Sequence, residues 1–300
     1  MPASNVISII VVTDEHYIVL LAALIKSIET THKTSEKIHL YIIADGVKTK
    51  SKTKLKNSID SNMIDLSWIS MKDAITPEVS LPIDHSSFPL NIYMRLFIPN
   101  IVAPGTQKAL YLDVDMIVLE DISKVWKINL GDKIIAAVQD PRLLTFSNSW
   151  GGVANYKELG FPADTKYFNT GLLLIDIPRW VALNITQRTI DCVANNKKYA
   201  NYPDQYALNI VLANQWLELD SRWNCFASEN IKNPFLIHFI SRKPIYKSYT
   251  HNTAYKLLFN HYLNLTLWHN FKPISELNRY VKKLKNIAFK IQRRLIYNTL

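Results

Sequence analysis

Cysteine is almost absent: Cys192 and Cys225 are the only two in 300 residues. That is too few for a disulfide framework, and no CxxC or Cys/His cluster offers a zinc or redox site. A reducing cytoplasm is the compartment this implies. Glycine is scarce too, seven in all, and the stretch "VVTDEHY" that closes the first apolar run contains none, so no glycine-rich phosphate loop opens there. Long hydrophobic runs are missing as well. The longest uncharged one, "YIVLLAALI" from Tyr17 to Ile25, falls well short of the roughly 20 residues that a membrane span needs. The N-terminal "MPASNVISIIVVTDEHY" has no basic segment ahead of its short apolar run, so it reads as a core strand rather than a secretory signal. The Asn-x-Thr sequons at Asn184 and Asn264 are then chance matches. Neither an internal repeat nor a low-complexity segment is found.

What is present is core. Hydrophobic residues make up 48% of the chain, enough at this length for one large domain with an appendage. "VISIIVV" (Val6 to Val12) is a β-branched run of the kind buried on both faces of a parallel sheet. "IVLLAALIKSIETT" follows as a helix, and "KIHLYIIADG" as a second strand stopped at Asp45-Gly46. "QKALYLDVDMIVL", "DKIIAAVQD" and "YFNTGLLLIDI" add three buried strands, and "VALNITQRTIDCVANN" a helix. The pattern predicts an α/β fold: a single open, twisted, mostly parallel sheet flanked by helices. Residues 1–245 are expected to form the main, ligand-binding domain, 246–271 a helical connector and 272–300 a basic tail.

In such sheets ligands bind beyond the carboxyl ends of the strands. Asp14 follows the first strand, Asp140 ends "IIAAVQD", and Asn169 leads into "GLLLI". The sharpest signal is "YLDVDMIVL" (Tyr111 to Leu119), which reads as one strand carrying two carboxylates in its apolar run. At i and i+2 of an extended segment Asp113 and Asp115 share a face, with Val114 turned away. Burying both without a partner is costly, and a divalent cation would resolve the cost while completing its shell with phosphate oxygens. The other acidic-x-acidic pair, Glu218 and Asp220 in "WLELD", lies in an alternating stretch that suits a solvated face.

The stretches "VVTDEHY", "YMRLFIP", "KALYLDVDMIVLEDI", "AAVQDP", "YFNTGLLLIDIPRW", "NYPDQYALN", "SRWN" and "IHFISRKP" occur in that order over residues 6–245. Together they resemble family 8 of the retaining glycosyltransferases, in particular the bacterial lipopolysaccharide galactosyltransferases and glucosyltransferases. The resemblance implies a GT-A-like fold and a metal-dependent enzyme that moves galactose or glucose from a UDP-sugar to a saccharide, here a lipid-linked lipopolysaccharide or lipooligosaccharide core. It places Asp14, Glu15, His16 and Tyr17 at the nucleoside, and Arg95 at the base or diphosphate. Asp113, Val114, Asn169, Ser241 and Lys243 would complete the nucleotide-sugar site. Asp113, Asp115 and His238 would bind the cation, Mn²⁺ in preference to Mg²⁺ because imidazole joins the donor set.

Asp140, Asn169, Asp204 and Gln205 correspond to the sugar-reading and catalytic positions. Gln205 stands where retention normally calls for a carboxylate nucleophile. Its amide is a poor nucleophile, which favours front-face substitution, with Asp204 the candidate if a covalent intermediate forms. Lys243 is assigned to the charge on the leaving diphosphate. Here the chain departs from the family: Ser241 replaces a glycine and the spacing from His238 to the lysine is one residue short. Arg242 and Lys247 are the neighbouring cations that could share that task. The long loop "LLTFSNSWGGVANYKELGFPADTK" is the segment expected to shape the acceptor side.

Eight basic residues against Glu276 alone place +7 of the net +10 between Phe271 and Leu300. There Ile274, Leu277, Val281, Leu284, Ala288, Ile291 and Leu295 recur at helical spacing. A cationic amphipathic helix fits an anionic leaflet, at about 1 kcal/mol per basic residue near the surface. The implied location is cytoplasmic, peripheral at the inner face of the cell membrane. Two other functions fit parts of the sequence. A nucleotidyltransferase making nucleotide sugars would share the sheet and the acidic ligands but needs the glycine-rich loop. A nucleic-acid-binding protein would spread basic and aromatic residues over the body, whereas here the excess sits in the tail.

Overall fold

The computed structural model describes residues 6–75, 79, 81–82, 90–281, 284–285 and 288. Ten strands lie among them: β1 (Val6–Asp14), β2 (Lys37–Asp45), β3 (Ile64–Ser70), β4 (Lys108–Leu112), β5 (Met116–Val118), β6 (Ile135–Gln139), β7 (Phe168–Asp176), β8 (Trp216–Glu218), β9 (Cys225–Phe226) and β10 (Leu236–His238). Seven form one sheet in the order β3-β2-β1-β4-β7-β6-β8, and β5, β10 and β9 form a second, small one. Every pairing in the large sheet is parallel except those of β7, which runs against both β4 and β6. The expected α/β, mostly parallel architecture is what the chain adopts.

The period of two along the strands sorts their side chains into two cores. Ile7, Ile9 and Val11 of β1 join Leu40, Leu110 and Leu172 on one face of the sheet. Ile10 joins Tyr41, Ala109, Tyr111 and Leu173 on the other. Burial on both sides explains why these strands read as continuous apolar runs. The helix Ile18–Thr31 is buried along all of Ile18–Ile25 because it lies between the first core, β5 and the helix Thr253–Asn264. Tyr255, Phe259 and Tyr262 of that last helix fill the same core, so residues 246–271 pack as part of the body.

Two elements differ from the sequence reading. "QKALYLDVDMIVL" is not one strand: β4 stops at Leu112 and β5 starts at Met116, in a different sheet, with a turn at Val114-Asp115 between them. Two carboxylates inside a doubly covered strand would be stranded in hydrocarbon, whereas a turn at the sheet edge opens them to a cleft. "VALNITQRTIDCVANN" breaks into the helices Ile177–Ala182 and Ile185–Asn195 at Asn184, whose φ of 51° is the left-handed conformation that asparagine tolerates. Residues 276–281 are helical, and Leu277, Val281 and Leu284 are exposed. Most of the expected basic tail helix, 282–300, lies outside the described residues apart from 284, 285 and 288. Among the described residues no helix is long and apolar enough to cross a membrane.

Candidate active site

β1, β4 and β6 all point their carboxyl ends at one edge of the large sheet, and antiparallel β7 starts there. That edge therefore collects Asp14, the Asp113–Asp115 turn, Asp140 and Asn169, while β10 brings His238 from the small sheet. They line a single cleft of about 650 Å³ together with Tyr17, Arg95, Val114, Asp204, Gln205, Ser241 and Lys243. The turn is pinned by two backbone bonds: Asp113 N–H donates to the Gly171 carbonyl (2.8 Å) and Phe239 N–H to the Asp115 carbonyl (2.8 Å).

Asp113, Asp115 and His238 each offer one ligand atom within 4.8 Å of the others. His238 Nε2 lies 3.3 Å from Asp115 Oδ1 and 3.6 Å from Asp113 Oδ2. The ring's protonation follows from a chain of donors. Asp140 Oδ2 can only accept, so it takes the Asn169 amide N–H (3.0 Å). Asn169 Oδ1 then accepts from Gly171 N–H (2.9 Å) and the Asn224 amide (2.8 Å). Asn224 is left presenting its oxygen to His238 Nδ1 at 2.9 Å. With the proton on Nδ1, the lone pair of Nε2 faces the two carboxylates, and a divalent metal fits this N,O,O donor set. Gly171 makes the approach possible: a Cβ there would lie 2.6 Å from the His238 ring. Asn169, Thr170 and Gly171 are strand residues of β7.

The carboxylates already have cationic neighbours. Lys243 forms an ion pair with Asp115 and donates to the Phe239 carbonyl (2.8 Å), so the short loop still delivers the lysine to the site. Burial raises the Asp115 pKa, but the Lys243 ammonium leads the groups that outweigh it, and the carboxyl is held well below the ordinary range. Arg95 spans Asp113 (3.0 Å) and Asp204 (3.0 Å), donates to the Thr170 carbonyl (2.7 Å) and lies over the Tyr111 ring. Tyr111 in turn donates to Asp113 (2.7 Å). Burial raises the Asp204 pKa, with Arg95 opposing.

Gln205 Oε1 accepts from the Asn169 amide (3.2 Å) and from the Thr170 N–H (3.1 Å) and hydroxyl (3.2 Å). Asp140 Oδ1 accepts the N–H groups of Arg142 (2.9 Å) and Leu143 (3.0 Å). Asp14 accepts the Tyr17 N–H (2.9 Å). Each carboxylate in the cleft therefore has at least one donor.

Two expected nucleoside contacts are not in the lining. Glu15 takes the Lys48 N–H (2.9 Å) and the Ser51 hydroxyl (2.9 Å), fixing the start of the next helix, and His16 bonds Tyr246 (2.7 Å). Arg242 is drawn off to Glu276 and Ser248, and exposed Lys247 is absent from the lining. The competing acidic pair behaves as a solvated one: Glu218 pairs with Lys166 and Asp220 with Arg222. Tyr111, Thr170, Asn224, Arg142, Trp150 and Tyr202 were not singled out from the sequence. Asn224 and Tyr202 sit in the quoted stretches "SRWN" and "NYPDQYALN", but nothing local says which cleft they enter.

The fold is that of the GT-A glycosyltransferases. A galactosyltransferase, LgtC, solved in complex with donor and acceptor sugar analogues, superposes with a TM-score of 0.70 over 88% of this chain and 99% of its own, at 20% identity. The chain belongs to glycosyl transferase family 8, whose model matches residues 8–273. General stress protein A of Bacillus subtilis is 26% identical over 89% of this chain and 96% of its own length. A lipopolysaccharide 1,2-glucosyltransferase of Escherichia coli is 24% identical over 92% and 84%.

Proposed function

We propose that this protein is a retaining, Mn²⁺-dependent hexosyltransferase that moves galactose or glucose from a UDP-sugar to a saccharide acceptor, a lipid-linked lipopolysaccharide-type core. The observation that carries the reading is the convergence of Asp113, Asp115 and His238 in one cleft with Asp140, Asn169, Asp204 and Gln205. Mg²⁺ is the alternative ion, but an imidazole ligand favours Mn²⁺. When bound, the cation would neutralise charge on the diphosphate as the glycosidic bond breaks. Lys243, already in the site, adds a second positive charge for that group.

Asp140, Asn169 and Gln205, locked to one another, are suited to reading sugar hydroxyls. Arg95 is best read as a positioning residue holding Asp113 and Asp204, rather than as a direct contact to base or diphosphate. Asp204, ion-paired to Arg95, and Gln205, an amide, are both poor nucleophiles. The arrangement therefore favours front-face substitution over a covalent intermediate. The acceptor oxygen bonds to the anomeric carbon as the bond to the UDP oxygen breaks, and the hydroxyl proton passes to that departing oxygen.

The test is a panel of nucleotide sugars incubated with the protein with and without Mn²⁺. UDP should be released from UDP-galactose or UDP-glucose only with the metal, and Asp113→Ala or Asp115→Ala should abolish release. Turnover at full rate without metal would rule the mechanism out.

A further inference from the structure

Trp150 is 60% exposed and lines the rim of the cleft. An indole left in water forfeits the burial energy of the largest side chain, so a rigid fold that holds it out needs a reason. Here the holding is specific. Asn148 accepts the Trp150 N–H (3.2 Å) and donates to the Arg142 carbonyl (2.8 Å). Gly151 takes φ +78°, and a Cβ on Gly152 would lie 2.5 Å from the Asn148 carbonyl oxygen and 2.6 Å from that of Phe146. Buried Phe146 and Val153 anchor the loop from below. Tyr202 meets the indole edge to face, with centroids 6.0 Å apart at 73°, and Pro203 alone separates it from Asp204.

We propose that Trp150 is the stacking platform for the terminal pyranose of the acceptor. The C–H face of a pyranose is apolar and its rim is hydroxyl, which matches one flat ring set among polar groups. Arg142, which also lines the cleft, has no carboxylate partner among the described residues and bonds only Ser228 through its guanidinium, leaving donors for those hydroxyls. A protein partner would call for a contiguous apolar patch, whereas the loop flanking Trp150 here is polar. The inference rests on reading the cleft as the glycosyl-transfer site.

The experiment takes the full-length protein in two stages. Binding of UDP with Mn²⁺ is measured first by calorimetry. The UDP-loaded protein is then titrated with methyl β-galactoside, methyl β-glucoside and lactose, read by saturation-transfer NMR. At least one should bind saturably with saturation concentrated on the C–H protons of one ring face. Trp150→Ala should weaken it at least tenfold, and Trp150→Phe, which keeps a flat ring, no more than threefold. Equal affinity for Trp150→Ala overturns the platform, as does absence of glycoside binding to UDP-loaded wild type. Loss of binding in both variants with a lowered Tm assigns the effect to loop folding and also overturns it. If UDP itself does not bind the wild type, the donor reading fails and takes this one with it.

Discussion

Asp115 is 8% exposed and is held ionised chiefly by Lys243, with burial working against it. Asp113 is held by Arg95 and Tyr111. These compensating groups were legible only in part. His238 and Lys243 were marked by resemblance, while Asn224, which orients His238, was not, because an asparagine in "SRWN" has no local signature of its distant partner. Removing a group that fixes a metal ligand's tautomer typically weakens metal affinity 10- to 100-fold. Asn224→Ala should therefore lower Mn²⁺ affinity by about that factor, measured by calorimetry or Mn²⁺ EPR without substrate. Ser241 has φ +63°, a conformation that glycine adopts freely and other residues only with strain, so a glycine would suit the backbone here. Ser241→Gly should raise stability by about 1 kcal/mol in urea unfolding, the relief of left-handed strain less the extra chain entropy of glycine.

At the scale of elements, strands and helices were read from their periodicity, since two-sided burial writes itself as an uninterrupted apolar run. What periodicity could not show was where a run changes sheet. β4 and β5 are both apolar, and the turn between them was hidden because its aspartates occupy a bend that looks like a pleat in one dimension. The join between elements can be tested at Asp121. It accepts His32 Nδ1–H (3.0 Å) and the N–H groups of Lys33 (2.9 Å) and Ser123 (2.9 Å), tying the end of the helix Ile18–Thr31 to the start of Ser123–Trp126. Burial pushes its pKa up, but these donors outweigh it and bring the carboxyl from 3.8 down to about 2. A depressed pKa contributes stability above the ordinary value that is lost as pH falls toward the folded one. Asp121→Ala should cost about 1–3 kcal/mol near pH 7, and its gap from wild type should narrow below pH 4 in urea titrations.

At the scale of the molecule, we carry forward the membrane reading of the basic tail. Ile274 bridges Tyr246, and Glu276 engages Arg242 and Ser248, so the tail begins as part of the body. A chain ending after residue 281 keeps those contacts. It should release UDP as fast as the full chain while binding anionic vesicles at least tenfold more weakly in co-sedimentation, and unchanged vesicle binding would refute the tail's role. The sequence by itself determined the α/β class, the mostly parallel sheet and the presence of two carboxylates that need compensating partners, because those depend on local hydrophobic pattern and on charge. Only the tertiary structure decided that the carboxylates meet His238 across two sheets, that Arg95 is committed to holding them and that Trp150 stands at the rim. These are matters of which distant segments touch, and one dimension carries no distances.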